Sequence, residues 1–124
     1  MPSYELLLRG EFSAAHQLRL TDGRLEPMHG HNWEVEVFLE GERLNEIGIL
    51  ADFTTLQQRL GKITAGLDGT CLNDLPALAS DNPSTERVAR HVHDAMAPGL
   101  EPGIRISKVR VWETRHCAAA YVPC

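Results

Sequence analysis

Two histidines separated by a single residue open a run in which apolar side chains take every second position. His29 and His31 flank Gly30, and the run continues through Trp33 to Leu39. Successive side chains of a β-strand point to opposite faces, so residues i and i+2 share a face. The two imidazoles should therefore lie on the apolar side of one strand. Because neutral imidazole is the commonest metal ligand among side chains, the pair predicts a metal site.

A third histidine ends the preceding alternating run, which extends from Tyr4 to His16. About a dozen residues join the two runs, and this favours an antiparallel hairpin over a parallel crossover, which normally contains a helix. The end of the first strand then lies beside the start of the second. We therefore predict that His16, His29 and His31 converge at one end of a buried face. A catalytic zinc typically has three protein ligands and one open position, although iron or another divalent ion also accepts these donors.

The rest of the chain supplies two helices and two further strands. Leucine and isoleucine recur at helical spacing over 53–65, with Asp52 as a plausible N-cap. Asn82-Pro83 provides a cap and a first-turn proline for a second helix, and a loop is expected over 73–81. Strands are predicted over 104–113 and 117–122.

The predicted order is ββααββ, an α+β fold with a four-stranded antiparallel sheet and two helices on one face. With helices available for only one face, the strand edges stay open unless chains assemble edge to edge. We therefore expect a homo-oligomer.

Composition narrows the class of protein. A chain of 124 residues is expected to form a single domain spanning 1–124. The net charge of −5 argues against a nucleic-acid-binding protein with a broad basic face. The sequence shows neither a basic leader nor an apolar run of membrane-spanning length, so no membrane association and a cytoplasmic location are expected. Cys71, Cys117 and Cys124 share no metal-binding spacing and are expected to be free thiols.

Several short motifs, in order along nearly the whole chain, resemble those of the 6-pyruvoyl-tetrahydropterin synthase and 6-carboxytetrahydropterin synthase family. They are Phe12-Ser13-Ala14-Ala15-His16, His29-Gly30-His31-Asn32-Trp33, Asp52-Phe53, Leu67-Asp68 with Leu72-Asn73, Asn82-Pro83-Ser84-Thr85-Glu86, and Glu113-Thr114. The resemblance implies the tunnelling fold, with oligomers that close their sheets into a barrel, as hexamers built from trimers. It also implies zinc on His16, His29 and His31, and a 7,8-dihydroneopterin triphosphate substrate.

The resemblance further implies that Glu113 anchors the pterin. The chemistry agrees, because a pterin presents an N–H and an amino group side by side and a carboxylate accepts both hydrogen bonds. The alternative is an ordinary strand-end glutamate. Asn73, Thr85 and Glu86 are expected to be turn and cap residues.

The chain departs from the family pattern just before the histidine pair. Both kinds of synthase carry a catalytic cysteine four residues before the first histidine, and here that position is Leu25. Glu26, three residues before His29, resembles a variant subgroup in which glutamate replaces the cysteine. That subgroup is linked to folate synthesis and yields 6-hydroxymethyl-7,8-dihydropterin. A carboxylate works as a proton acceptor if burial raises its pKa, whereas the alternative for Glu26 is a solvated loop residue.

A second departure follows Asp68, where the family usually has a histidine that completes a proton relay. The residue here is Gly69, which cannot transfer a proton. Asp68 remains a catalytic candidate, and His116 and Cys71 are possible substitutes for the missing histidine. Candidates for contacts with the triphosphate are Arg24 and Arg115.

These observations lead to three hypotheses. The first is a zinc-dependent pterin lyase that uses Glu26 and Asp68 in catalysis and Glu113 for substrate binding. The second is a 6-carboxytetrahydropterin synthase of queuosine biosynthesis. The third belongs to another class, a zinc- and pterin-binding protein without catalysis, favoured by the absence of the usual cysteine and Asp-His pair.

Overall fold

The computed structural model describes residues 2–80 and 82–124, which form one mixed sheet with helices packed on it. Five strands lie in the order β3-β1-β2-β4-β5. The elements are β1 (Tyr4–His16), β2 (His29–Gly41), α1 (Phe53–Leu67), β3 (Thr70–Cys71), a 3₁₀ turn (Leu72–Asp74), α2 (Pro76–Ala79), α3 (Thr85–Met96), β4 (Arg105–Thr114) and β5 (Cys117–Tyr121). The predicted α+β class is confirmed.

The two long strands form the predicted antiparallel hairpin. His16 pairs with His29, Ala14 with His31 and Phe12 with Trp33. Residues directly opposite each other in an antiparallel pair project to the same face. The register therefore places the three histidines together on the face that continues into the core.

The core lies between this sheet face and one side of α1 and α3. Asp52 caps α1 as predicted, because its carboxylate accepts a hydrogen bond from Thr54 N. The fully buried side chains of the helices and strands form one cluster, which includes Leu8, Trp33, Val35, Val37, Leu39, Leu60, Leu72, Val88, Val92, Met96, Val109 and Val111. No helix within residues 2–80 and 82–124 has the length and apolar character needed to cross a membrane.

The strand count differs from the prediction. A fifth strand, β3, pairs in parallel with Ala14 and Ala15 of β1, so the sheet is not entirely antiparallel. Two residues are too few to show an alternating pattern, and this is why the sequence gives no signal for β3. The sheet stays open, with β3 and β5 at its edges.

The helical boundaries differ from the prediction in two places. A loop was expected over 73–81, but residues Pro76–Ala79 form the helix α2. Asp81, the last residue of that predicted loop, lies outside the described residues. The second long helix is capped by Ser84, whose hydroxyl accepts from Arg87 N, and not by Asn82. The side chain of Asn82 instead binds the backbone of Arg19, so it is not available to cap the helix.

Candidate metal and substrate site

The three histidines converge as predicted, with all three ligand nitrogens within 4.8 Å of one another. Nδ1 of His16 lies 2.8 Å from the Pro83 carbonyl, and Nδ1 of His29 lies 2.8 Å from the Pro27 carbonyl. Because a carbonyl only accepts, both Nδ1 atoms carry the proton, and in the neutral rings both Nε2 atoms have free lone pairs. Such second hydrogen bonds are what orient metal-ligating histidines.

The ligand nitrogens have the environment of a cation site. Nε2 of His16 and Nε2 of His29 lie 3.1 Å apart, so two lone pairs face each other. Nε2 of His31 is buried without a hydrogen-bond partner among the described residues. A buried polar atom without a partner is costly, and a metal ion would satisfy it. The residues present therefore fit a divalent metal.

A tryptophan fixes the orientation of two of these rings. Trp33 is fully buried, meets the rings of His16 and His31 edge to face, and donates from Nε1 to the Ala14 carbonyl at 3.1 Å. Phe12 stacks on its other side. Packing on several sides limits the rotamers of the ligands, which preorganises them for one ion.

The pKa of His31 is lowered from its ordinary value. Burial is the main cause, and the neighbouring His29 and His16 act in the same direction, whereas the carboxylates of Glu113 and Glu26 oppose it. The neutral imidazole is the form that binds a metal. The surroundings of His31 thus favour the ligand form.

Glu113 lies beside the histidines. Its Oε1 is 3.3 Å from His16 Nε2 and 3.8 Å from His31 Nε2, and it accepts a hydrogen bond from the Thr85 hydroxyl at 3.1 Å. Thr85, expected from the sequence to be a turn or cap residue, is thus part of the site. No local sequence signal indicates this role, because the contact joins the start of α3 to the end of β4, 28 positions away.

Glu26 approaches the site from the loop between β1 and β2. Its Oε1 lies 3.8 Å from His29 Nε2 and accepts a hydrogen bond from Leu18 N at 3.1 Å. The side chain is 25% exposed, so it is neither fully solvated nor sealed from substrate. The two carboxylates therefore flank the histidines, with Glu113 next to His16 and His31 and Glu26 next to His29.

Asp68 has a different environment. Its Oδ1 accepts a hydrogen bond from Ser13 N at 2.8 Å, at the edge of β1. Ser13 precedes His16 by three residues, which corresponds to about 10 Å along a strand. Gly69 follows with a φ of +72°, a left-handed conformation that favours glycine. Within the described residues, the contacts of Asp68 are with the strand edge and not with the histidines.

The remaining candidates are spread around the site. Cys71 Sγ lies 3.8 Å from the sulfur of Met28, the residue before His29. His116 is exposed in the turn between β4 and β5. Arg24 forms an ion pair with Asp22 in the exposed β1–β2 loop.

Fold and site together define an α+β protein with a cluster of three histidines that could hold one metal ion, flanked by two carboxylates. The family model described as 6-pyruvoyl tetrahydropterin synthase matches residues 5–124, and the chain belongs to this family. The resemblance seen in the sequence motifs is thereby confirmed.

Characterised relatives have different names within this family. The chain is 29% identical over 108 residues to the dihydroneopterin monophosphate aldolase of Pyrococcus furiosus, covering 87% of this chain and 88% of that protein. It is 32% identical over 115 residues to the 6-carboxy-5,6,7,8-tetrahydropterin synthase of Synechocystis, covering 89% and 86%. The 6-pyruvoyl tetrahydropterin synthase structure from Caenorhabditis elegans superposes with a TM-score of 0.85 at 23% identity, covering 100% of this chain and 98% of that one. The homologues support a pterin-processing lyase.

Proposed function

We propose that the protein is a zinc-dependent lyase that cleaves the side chain of a 7,8-dihydroneopterin phosphate and leaves 6-hydroxymethyl-7,8-dihydropterin. The observation that carries the proposal is the carboxylate of Glu26, 3.8 Å from His29 Nε2. The name of the Pyrococcus furiosus relative, an aldolase, supports the same reaction class. The sequence motifs suggest the triphosphate, and the relative is named for the monophosphate, so both are substrates to test.

His16, His29 and His31 would hold the metal through Nε2. Zinc bound there would supply Lewis acidity, which lowers the pKa of a substrate hydroxyl. Glu113 would bind the pterin ring, since a carboxylate has enough lone pairs to accept from the ring N–H and amino group while it keeps the Thr85 hydroxyl. The ring would then lie on the Glu113 side of the histidines, with the substrate side chain directed toward Glu26.

Glu26 would act as the proton acceptor. In a retro-aldol cleavage it removes the proton of the hydroxyl on the second side-chain carbon, and the bond between the first and second carbons breaks. The departing fragment leaves as an aldehyde that keeps the phosphate, and the electron pair passes into the pterin ring. Protonation of the first carbon then completes the hydroxymethyl group. The Leu18 N–H holds the carboxylate in position for the first step.

To test the proposal, the zinc-loaded protein is incubated with each dihydroneopterin phosphate, and the pterin product is identified by mass. Glu26→Gln should reduce kcat by roughly 10²- to 10⁴-fold, the usual contribution of a positioned general base, with zinc content unchanged. Glu42→Gln, at an exposed glutamate just beyond β2, is the matched control and should retain full activity. Full turnover by Glu26→Gln would show that Glu26 is not the base.

A second candidate function is 6-carboxy-5,6,7,8-tetrahydropterin synthesis, which is favoured by the Synechocystis relative. The same incubation separates the two functions, because the carboxylated and hydroxymethylated pterins differ in mass. A binding protein without catalysis is the remaining hypothesis. It predicts tight pterin binding with no product, so any zinc-dependent turnover would exclude it.

We also propose that the chain assembles into a homo-oligomer, as hexamers built from trimers. The support is the open sheet, in which β5 and the two-residue β3 stand at the edges. Unpaired strand edges bind other strands readily. Sedimentation velocity would give the mass of the assembly, and a monomer at micromolar concentration would contradict the proposal.

A further inference from the structure

The loop that carries Glu26 begins with three extended residues held from both sides. The side-chain amide of Asn73 accepts from Gln17 N at 2.9 Å and donates to Gln17 O at 2.9 Å. The amide of Asn82 does the same to Arg19, accepting from its N at 2.7 Å and donating to its O at 2.9 Å. Each asparagine thus binds both polar backbone groups of one loop residue.

Leu18, which lies between Gln17 and Arg19, binds Glu26. Leu18 N donates to the Glu26 carboxylate at 3.1 Å, and Leu18 O accepts from Glu26 N at 2.9 Å. Backbone N–H and C=O groups of successive residues in an extended chain face opposite sides, so residues i and i+2 share a side. Asn73 and Asn82 therefore bind one side of the segment 17–19, and Glu26 binds the other. The backbone amide that orients the Glu26 carboxylate belongs to Leu18, and the two neighbours of Leu18 are each held by one asparagine.

The asparagines continue a pattern that starts within the sheet. Asp68 and Gly69 bind the N–H and C=O of Ser13, and β3 pairs at Ala15. Every second residue from 13 to 19 is thus bound by the segment 68–82. The segment 17–19 extends β1, and the two amides take the place of a neighbouring strand.

We propose that Asn73 and Asn82 are positioning residues that place Glu26 for proton transfer, an inference that rests on the proposed function of Glu26. Asn82 does not have the cap role that its sequence position suggests, since Ser84 caps α3, and Asn73 lies within the 3₁₀ turn. The two-hydrogen-bond contact needs a side chain that donates and accepts at once. Asparagine does this, whereas aspartate of the same shape only accepts.

The experiment uses Asn73→Asp and Asn82→Asp in the whole 124-residue chain. Each change keeps the acceptor but places a carboxylate oxygen against a backbone carbonyl oxygen. We expect kcat to fall roughly 10- to 100-fold, since displacement of a catalytic group by about 1 Å has an effect of this size, while zinc content and pterin affinity stay unchanged. Hydrogen exchange at the Leu18 and Glu26 amides should accelerate at least tenfold.

Asn45→Asp is the matched control. Among the described residues the side chain of Asn45 only accepts hydrogen bonds, from Ile47 N and Ile49 N, so this change adds the same charge without losing a side-chain hydrogen bond to a carbonyl. Its kcat and its exchange at Leu18 should equal those of the unmodified protein.

A double-mutant cycle separates positioning from general stability. In a Glu26→Gln background the aspartate substitutions should cause no further loss of kcat. An equal fold-loss in both backgrounds would show a merely structural role. Wild-type kcat in Asn73→Asp and Asn82→Asp, beside an impaired Glu26→Gln, would overturn the positioning role alone. Full activity of Glu26→Gln would instead overturn the proposed function.

Discussion

Replacement of Glu36 by glutamine should destabilise the protein through the sheet face opposite the core. Glu36 lies between the core residues Val35 and Val37 and points away from them, yet it is only 4% exposed. Arg110 Nε and Trp112 Nε1 each donate to its Oε1 at 2.7 Å, and an Arg9 nitrogen lies 3.2 Å from its Oε2. The carboxylate therefore joins β2 to both neighbouring strands, β1 through Arg9 and β4 through Arg110 and Trp112.

The size of the effect follows from the exposure of the partners. The Arg9 side chain is 70% exposed, so its ion pair contributes only about 0–1 kcal/mol. The Arg110 side chain is 34% exposed, and hydrogen bonds to a charged group are worth about 1.5–3 kcal/mol. Glutamine keeps the volume and one acceptor oxygen but loses the charge. We expect a loss of about 2 kcal/mol in the free energy of unfolding at pH 7.

The pH dependence gives this prediction its sharpest test. Burial alone would raise the pKa of Glu36, but the hydrogen bonds from Arg110 and Trp112, with the charges of Arg110 and Arg9, outweigh it and lower the pKa below 4.5. A carboxyl whose folded pKa is depressed stabilises the protein above its unfolded pKa and loses that contribution as pH falls through the folded pKa. The difference between the unmodified protein and Glu36→Gln should therefore be complete at pH 7 and shrink below pH 4.5.

Urea unfolding of both proteins from pH 7 to pH 3 measures this difference. A difference under about 0.5 kcal/mol at pH 7, well below the range for charged hydrogen bonds, would contradict the energetic argument. A difference that persists unchanged to pH 3 would show that the carboxylate charge is not its source.

Three further predictions concern zinc binding and two glycine positions of the backbone. Zinc added at 100 times its Kd should raise the free energy of unfolding of the chelator-treated protein by about 2.7 kcal/mol, which thermal unfolding measures. His31→Ala should abolish this response, whereas the control His116→Ala should keep it. Gly41→Ala places a Cβ 2.7 Å from Leu50 Cδ1 and 2.9 Å from the Gly103 carbonyl, so urea unfolding should show a loss of about 1–3 kcal/mol. Gly61→Ala, within α1 and with nothing within 4 Å of the new Cβ, should instead gain about 0.5–1 kcal/mol.

The cluster of three histidines was predictable because it depends on local periodicity and one turn. A strand repeats every two residues, so the alternation of each run determines its inward face. One antiparallel hairpin then brings His16 opposite His29. No long-range information beyond the hairpin is needed to assemble the three ligands.

The rest of the site was less predictable because it depends on side chains that bind distant backbone. Asn73 binds Gln17, 56 positions away, and Asn82 binds Arg19, 63 positions away. Side-chain hydrogen bonds of this kind leave no periodic signal. The sequence predicted a turn at Asn73, where the structure has a 3₁₀ turn, and a cap at Asn82, which is not found, and neither prediction revealed the distant contact. The contact of Thr85 with Glu113 escaped prediction for the same reason.

The three histidines and Glu26 are positioned by different parts of the fold. The register of the hairpin places the histidines. The carboxylate of Glu26 is instead bound by Leu18, whose neighbours Gln17 and Arg19 are held by Asn73 and Asn82. Changes at Asn73 or Asn82 should therefore move the carboxylate of Glu26 without disturbing the three histidines. The relatives in this family include one named as an aldolase and one named as a carboxypterin synthase. We therefore expect substitutions in the loop before His29, or at the two asparagines that hold it, to change the proposed reaction more than they change zinc binding.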